Sequence, residues 1–285
     1  MPIRKKIYSI NNINLFAAEA GNPEGKVILF LHGFPEFWYA WHQQLPFFAD
    51  KNFRAIALDQ RGYNLSSKPG GVKAYTLPHL TKDIAAFIRE LTSEKIILVG
   101  HDWGGAVAWS VAAQYPQLLE KLVILNMPHL QIFNRYLRKN PKQLLKSWYA
   151  GFFQLPILPE ISNRAFNYKL LKMSMAKTAL PNTFSKDDFL QYKAAWRKPG
   201  AMKAMINWYR AYKYNPNISP EQIEVPTLLI WGQKDAFLKA EMAAPSIEKC
   251  RHGKLVFIPE ATHWLHHEKP HQVNKLIYQF IQDIA

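Results

Sequence analysis

Three side chains stand where chemistry could be done, each just past a short apolar run: Asp102 in IILVGHDWGGAVAWS, Asp235 after TLLIWGQK and His263 after LVFIPEAT. Asp102 lies in a Gly-X-Asp-X-Gly turn between an apolar run and a stretch of small residues, a pattern that reads as buried strand, sharp turn and helix. An Asp before a helix can be no more than an N-cap. A carboxylate at such a tip can also be a nucleophile, because it is already ionised at neutral pH, with an ordinary pKa of about 3.9. Its attack on saturated carbon gives an ester, whereas a Ser would give an ether that water does not readily cleave. The ester could be hydrolysed at its carbonyl by water that His263 deprotonates, with Asp235 orienting the imidazole and stabilising its charged form. The pattern therefore points to substrates attacked at an alkyl carbon rather than to ordinary esters. Hydrolysis would put an oxyanion on the Asp102 carboxyl, and the backbone N–H groups of Trp103 and Phe34 are the nearest candidates to receive it. His32 and His101 each flank a turn and read as packed, hydrogen-bonded histidines.

These residues need a rigid frame. Lys26–Gly33, Phe53–Asp59, Lys95–Gly100, Lys121–Asn126, Pro226–Gly232 and Lys254–Glu260 are short runs rich in Val, Ile and Leu. Separated by helical stretches such as Leu80–Leu91 and Gly104–Tyr115, they predict an α/β fold with a mostly parallel sheet covered on both faces. Segments around Ile7 and Ile13–Ala17 predict an antiparallel hairpin at its start. From Pro128 to Ile218 the strand rhythm gives way to aromatic, Met- and Lys-rich stretches broken at Pro141, Pro156, Pro159, Pro181 and Pro199. We read residues 1–127 and 219–285 as one core and residues 128–218 as an inserted helical cap. Such a cap would lie over the carboxyl ends of the strands, where open α/β sheets bind ligands.

Composition narrows the setting. Cys250 is the only cysteine of the 285 residues, which excludes an intrachain disulfide and a multi-cysteine metal site. The first residues, MPIRKKIYSINNINLF, lack the continuous apolar core of a signal peptide, and no run of membrane-spanning length occurs, so a cytoplasmic protein is expected. The formal charge of +15 is concentrated: residues 128–218 carry 16 Lys and Arg against 3 Asp and Glu. Alternation of these cations with apolar residues at helical spacing describes solvated helix faces. A weak, salt-sensitive attraction of the cap for anionic lipid or amphiphile is expected in addition, and nucleic acid is not expected as a partner.

HGFPEFWYAWHQQLP, DQRGYNLSSKP, VGHDWGGAVAW and ATHWLHHEKP together resemble the motif series of the epoxide hydrolases of the α/β-hydrolase fold, over nearly the whole chain. Haloalkane dehalogenases share several of these motifs, including Asp-Trp at the elbow. The resemblance implies two cap tyrosines that hydrogen-bond the epoxide oxygen. One precedes a Phe-Gln pair by four residues, here Tyr149 in YAGFFQLPILPE, and the other sits in an Asn-Trp-Tyr-Arg segment, here Tyr209. An alkoxide leaving from an epoxide is a strong base and must be met by a neutral acid, whereas a halide needs only N–H donors. No cofactor or metal is implied, and the expected partners are a small apolar epoxide and water. Trp38, Phe152, Phe153 and Trp264 are expected to line an apolar pocket, with core packing an equally good account of each. The sequence departs from the family pattern at Asn64 and Ile157, where Gly is common. A haloalkane or haloacid dehalogenase using the same Asp, and a non-catalytic lipid- or ligand-binding protein, are the competing readings.

Overall fold

Apolar runs without alternation belong in strands buried on both faces. In the computed structural model, which describes residues 2–215 and 222–283, that is where they lie. The strands are β1 (Arg4–Ile10), β2 (Ile13–Gly21), β3 (Val27–Leu31), β4 (Arg54–Asp59), β5 (Ile96–His101), β6 (Leu119–Leu125), β7 (Thr227–Gly232) and β8 (Gly253–Ile258). They form one sheet in the order β1-β2-β4-β3-β5-β6-β7-β8. β1 and β2 pair antiparallel, as expected of the hairpin, and β2 joins β4 antiparallel; the remaining pairs are parallel. Successive residues of a strand feed opposite cores. Leu29, Leu31 and Leu98 join one cluster, Ile28, Phe30 and Ile97 the other.

Helices α1 (Gln44–Ala49), α2 (Leu77–Leu91) and α3 (Trp103–Gln114) come before β6. α2 and α3 cover the first cluster, through Ile84, Phe87, Val107 and Val111. α1 covers the second through Leu45 and Phe48. Between β6 and β7 the described residues contain the helices α4 (Leu130–Lys139), α5 (Pro141–Lys146), α6 (Trp148–Phe152), α7 (Leu158–Thr178), α8 (Lys186–Trp196) and α9 (Ala201–Ala211), a short 3-10 turn after α9, and an isolated bridge from Ile223 to Cys250. The end expected for this insertion, residue 218, lies outside the described residues. Pro141 and Pro159 do not simply break helices; each sits in the first turn of one, where its missing N–H costs nothing. Helices α10 (Ala243–Ile247), α11 (Leu265–Glu268) and α12 (Pro270–Gln282) complete the chain, and α12 closes the second cluster with Val273, Ile277 and Phe280. No helix among the described residues is long and apolar enough to cross a membrane.

Two backbone features of the insertion stand out. α7 is interrupted where Phe166, Asn167 and Tyr168 adopt φ of 48°, 57° and 63°. Ile157 has φ 64° and ψ −44°, and the N–H of Leu158 donates to the carbonyl of Pro156 at 2.6 Å, which makes Ile157 the centre of a tight γ-turn. A β-branched residue is strained there and its side chain is exposed, so little packing would be lost with it. Ile157→Gly is expected to stabilise the protein by about 1 kcal/mol. A lowered midpoint in urea unfolding would contradict this.

Candidate active site

β3 and β5 are neighbours whose chains leave the sheet in opposite directions, and the crevice between their carboxyl ends is the switch point of the sheet. Asp102 follows β5 there with φ 49° and ψ −123°, a conformation that turns strand into helix within one residue. The turn is tight enough to demand its glycines. A side chain on Gly104 would meet the Leu31 carbonyl at 2.2 Å, and one on Gly33 would meet Asp102 Oδ1 at 2.5 Å. Across the crevice the N–H of Phe34, beside the cis Phe34-Pro35 bond, donates to Asp102 Oδ1 at 2.9 Å. Trp103 is the first residue of α3, so its N–H has no intrahelical acceptor.

Asp235 and His263 follow β7 and β8 at the same edge of the sheet. His263 Nδ1 lies 2.7 Å from Asp235 Oδ2, and His263 Nε2 lies 3.6 Å from Asp102 Oδ2. Asp235 is fixed from three further sides: the N–H groups of Phe237 and Leu238 donate to Oδ1 at 2.7 and 2.9 Å, and the Asn126 amide donates to Oδ2 at 2.6 Å. Burial opposes charge on both partners, but the ion pair prevails: Asp235 is held below the usual carboxylate range and His263 is pushed up to about 10 by Asp235 and Asp102. Asn126 is a site residue that sequence reasoning misses. Its signal is a polar residue closing the apolar run KLVILN, and its φ of 43° suits an Asn.

Behind His263 lies a buried polar layer, of which the sequence foresees only His101, as a packed, hydrogen-bonded histidine. His101 donates its Nε2–H to the carbonyl of His263 at 2.8 Å, and its Nδ1 lies 3.2 Å from Glu36 Oε2. Glu36 also receives the Tyr192 hydroxyl at 2.8 Å and lies 2.7 Å from His267 Nε2. Burial alone would raise Glu36, yet His266 and its other imidazole neighbours hold it well below the usual range. Glu36, His266 and His267 are the group among the described residues whose spacing, within 4.8 Å, suits a metal, but Glu36 and His267 already bond each other. His32 is the packed histidine expected: Nδ1 donates to the Gly33 carbonyl, Nε2 accepts the Gln60 N–H, and burial lowers it to about 4.

Above the crevice is a cavity of about 600 Å3 that reaches Asp102 and His263. Tyr149, from α6, and Tyr209, from α9, line it with their rings 5.8 Å apart. Burial and then the Asp102 and Asp235 charges raise Tyr149, while burial, Tyr149 and Asp102 raise Tyr209. Both phenols thus remain neutral donors. Phe152, Phe153 and Trp264 line the cavity; Trp38 does not. Its backbone N–H donates to Asp59 Oδ1 at 2.9 Å, and its ring packs between Phe37 and Tyr39 in the turn after β3. Leu145, Trp148, Leu170 and Phe237 line the cavity too, with no motif in the sequence to mark them.

The profile of the α/β-hydrolase fold matches residues 26–270. Epoxide hydrolase 4 of Homo sapiens is 38% identical over 273 residues, covering 94% of this chain and 74% of that protein. The chain belongs to the epoxide hydrolases of the α/β-hydrolase fold. The AB hydrolase superfamily protein YfhM of Bacillus subtilis (strain 168) is 43% identical over 282 residues, or 99% of each chain. Among solved structures, a mutant epoxide hydrolase from Bacillus megaterium complexed with its product, a naphthyloxy-propane-1,2-diol, superposes with a TM-score of 0.88 at 30% identity, covering 98% of this chain and all of that one. The enzyme from the same organism in complex with an inhibitor gives 0.88 at 31%, over the same shares.

As a member of the epoxide hydrolases, the chain departs from the family motifs at two positions, and both have positive φ: 38° at Asn64 and 64° at Ile157. Glycine fits such backbone without strain. Asn64 tolerates it and donates to Asp59 Oδ2 at 2.8 Å, so the turn is kept. Ile157 makes no comparable side-chain hydrogen bond and bears the strain in an exposed loop.

Proposed function

We propose that this protein hydrolyses epoxides to vicinal diols through a covalent ester on Asp102, with residues 128–218 acting as a cap over a core of residues 1–127 and 219–285. The observation that carries the reading is the pair of neutral tyrosines, Tyr149 and Tyr209, in one cavity with Asp102 and His263. Asp102 Oδ1 is engaged by Phe34 N–H, which leaves Oδ2 to attack the less hindered epoxide carbon. The carbon–oxygen bond of the ring breaks, its electron pair stays on oxygen, and a tyrosine O–H supplies the proton. Water then attacks the Asp102 carbonyl carbon while His263 Nε2 takes its proton, and the oxyanion forms toward the N–H groups of Phe34 and Trp103. Collapse releases the diol and restores the carboxylate.

The dehalogenase alternative is not favoured, because a halide has no use for two buried phenols. A small apolar epoxide and water are the substrates in this reading, and no step calls for a metal or cofactor.

The test is diol formation from an aryl epoxide by the wild type beside Tyr149→Phe and Tyr209→Phe. Each single variant is expected to lose about 10- to 100-fold in kcat/KM, and the double variant more, in line with the loss of an acid catalyst. Halide release from haloalkanes without diol formation from epoxides would overturn the reading, as would full activity in the double variant.

A further inference from the structure

The cap wears its apolar side chains outward. Of fourteen large hydrophobics exposed among the described residues, nine fall between Leu144 and Leu170, with Trp148 at 68% and Phe166 at 86% exposure. A monomer in water gains nothing by this. Phe166 gains least, since it stands in the left-handed break of α7, a costly conformation for a bulky residue, and its ring is directed to solvent. The break is held from inside by its other two residues, Asn167 accepting from Arg197 at 2.6 Å and Tyr168 packing on Trp196, and this fixes the Phe166 ring outward.

Charge identifies the partner. Residues 135–177 hold nine Lys and Arg but a single acid, Glu160, which is bonded to Arg210. Arg138, Lys139, Lys142, Arg164 and Lys169 are exposed and flank the apolar residues in sequence. Apolar side chains at the acyl boundary with cations among the headgroups are what an anionic membrane surface selects. A second copy is a poor occupant, because a two-fold interface through this segment would set its exposed cations against their own copies. Position adds a reason: Leu145, Trp148 and Leu170 are exposed and also line the cavity that ends at Asp102.

We propose that the outer face of the cap is a docking surface for anionic phospholipid membranes, seated so that the cavity mouth opens onto the bilayer and a lipophilic, membrane-dissolved epoxide enters without crossing water. The substrate half of this proposal rests on the epoxide reading above; the docking half does not.

The experiment is cosedimentation with vesicles of phosphatidylcholine, alone or mixed with phosphatidylglycerol, at low and high salt. The wild type is compared with Lys142→Glu/Lys169→Glu and with Ile161→Ser/Phe166→Ser. Wild type should sediment with mixed vesicles at low salt only. The charge variant should lose about 25-fold or more in partition, since each basic residue near such a surface is worth roughly fivefold. The apolar variant should lose about tenfold or more. Both should keep wild-type kcat/KM on a water-soluble aryl epoxide and fall behind on a long-chain epoxide dissolved in mixed vesicles. No sedimentation, equal and salt-insensitive binding to neutral vesicles, or a wild-type dimer that Ile161→Ser/Phe166→Ser turns into monomer would each overturn docking. A wild type that binds vesicles but hydrolyses neither epoxide would overturn the epoxide reading alone.

Discussion

His263→Ala protein mixed with a small aryl epoxide is expected to gain the mass of one epoxide and then stall, with steady diol formation reduced by about 10³-fold or more. The reason is the division of the two steps. In the mechanism proposed above, ring opening needs the Asp102 carboxylate and a phenol donor, and ester hydrolysis needs a base, for which His263 Nε2, 3.6 Å from Asp102 Oδ2, is the imidazole nitrogen in reach. The wild-type histidine begins the cycle protonated, pushed up to about 10 by Asp235 and Asp102. Formation of the ester removes one of those two charges, so the imidazole becomes less basic at the moment when the alkoxide has taken a proton from the tyrosines. The proton shed by His263 replaces the one they gave. Hydrolysis then returns a proton to His263, and the cycle closes with no net exchange beyond epoxide and water in and diol out. Intact mass with peptide mapping to Asp102 checks this. An active wild type whose His263→Ala variant forms no adduct would mean that water attacks the epoxide directly.

Asp102→Asn is expected to abolish diol formation, by about 10⁴-fold or more, with the fold retained. An amide has no charge to drive displacement at saturated carbon. Retention of the fold follows from the backbone: Asp102 holds φ 49°, which Asn adopts almost as readily, and the amide oxygen can still accept the Phe34 N–H. Intact mass must establish that the side chain is still an amide when activity is read, because hydrolysis of the amide regenerates the wild type. A verified Asp102→Asn protein with wild-type turnover would remove the nucleophile from Asp102. Together the two variants separate the steps, one blocked before the ester and the other after it.

What can be read from sequence is whatever a local pattern carries. Polar residues closing apolar runs put Asp102, Asp235 and His263 at strand ends, because a strand buried on both faces must stop where its first charged residue needs solvent or a partner. The hairpin and the helices near α2 and α3 are legible for the same reason. Pairings between distant segments are not. Glu36 meets His101 across 65 residues and His267 across 231, and no periodicity announces either contact. Trp38 reads equally as a pocket or a packed aromatic, and only the turn after β3 decides, pointing its ring into neighbouring aromatics. Asn126 escapes notice because an Asn after a strand is ordinarily a loop residue. Its role depends on Asp235, 109 residues later in the chain.

The carboxylates, the imidazole and the backbone donors all stand at the edge of one sheet, while both phenols hang from helices inserted between β6 and β7. If the proposed mechanism holds, the groups that cleave the ester can be inherited intact while the insertion is rebuilt. Replace the two tyrosines and reshape their helices, and the same sheet would serve another leaving group. Lineages drawing on this scaffold should thus diverge in what they open and agree in how they finish.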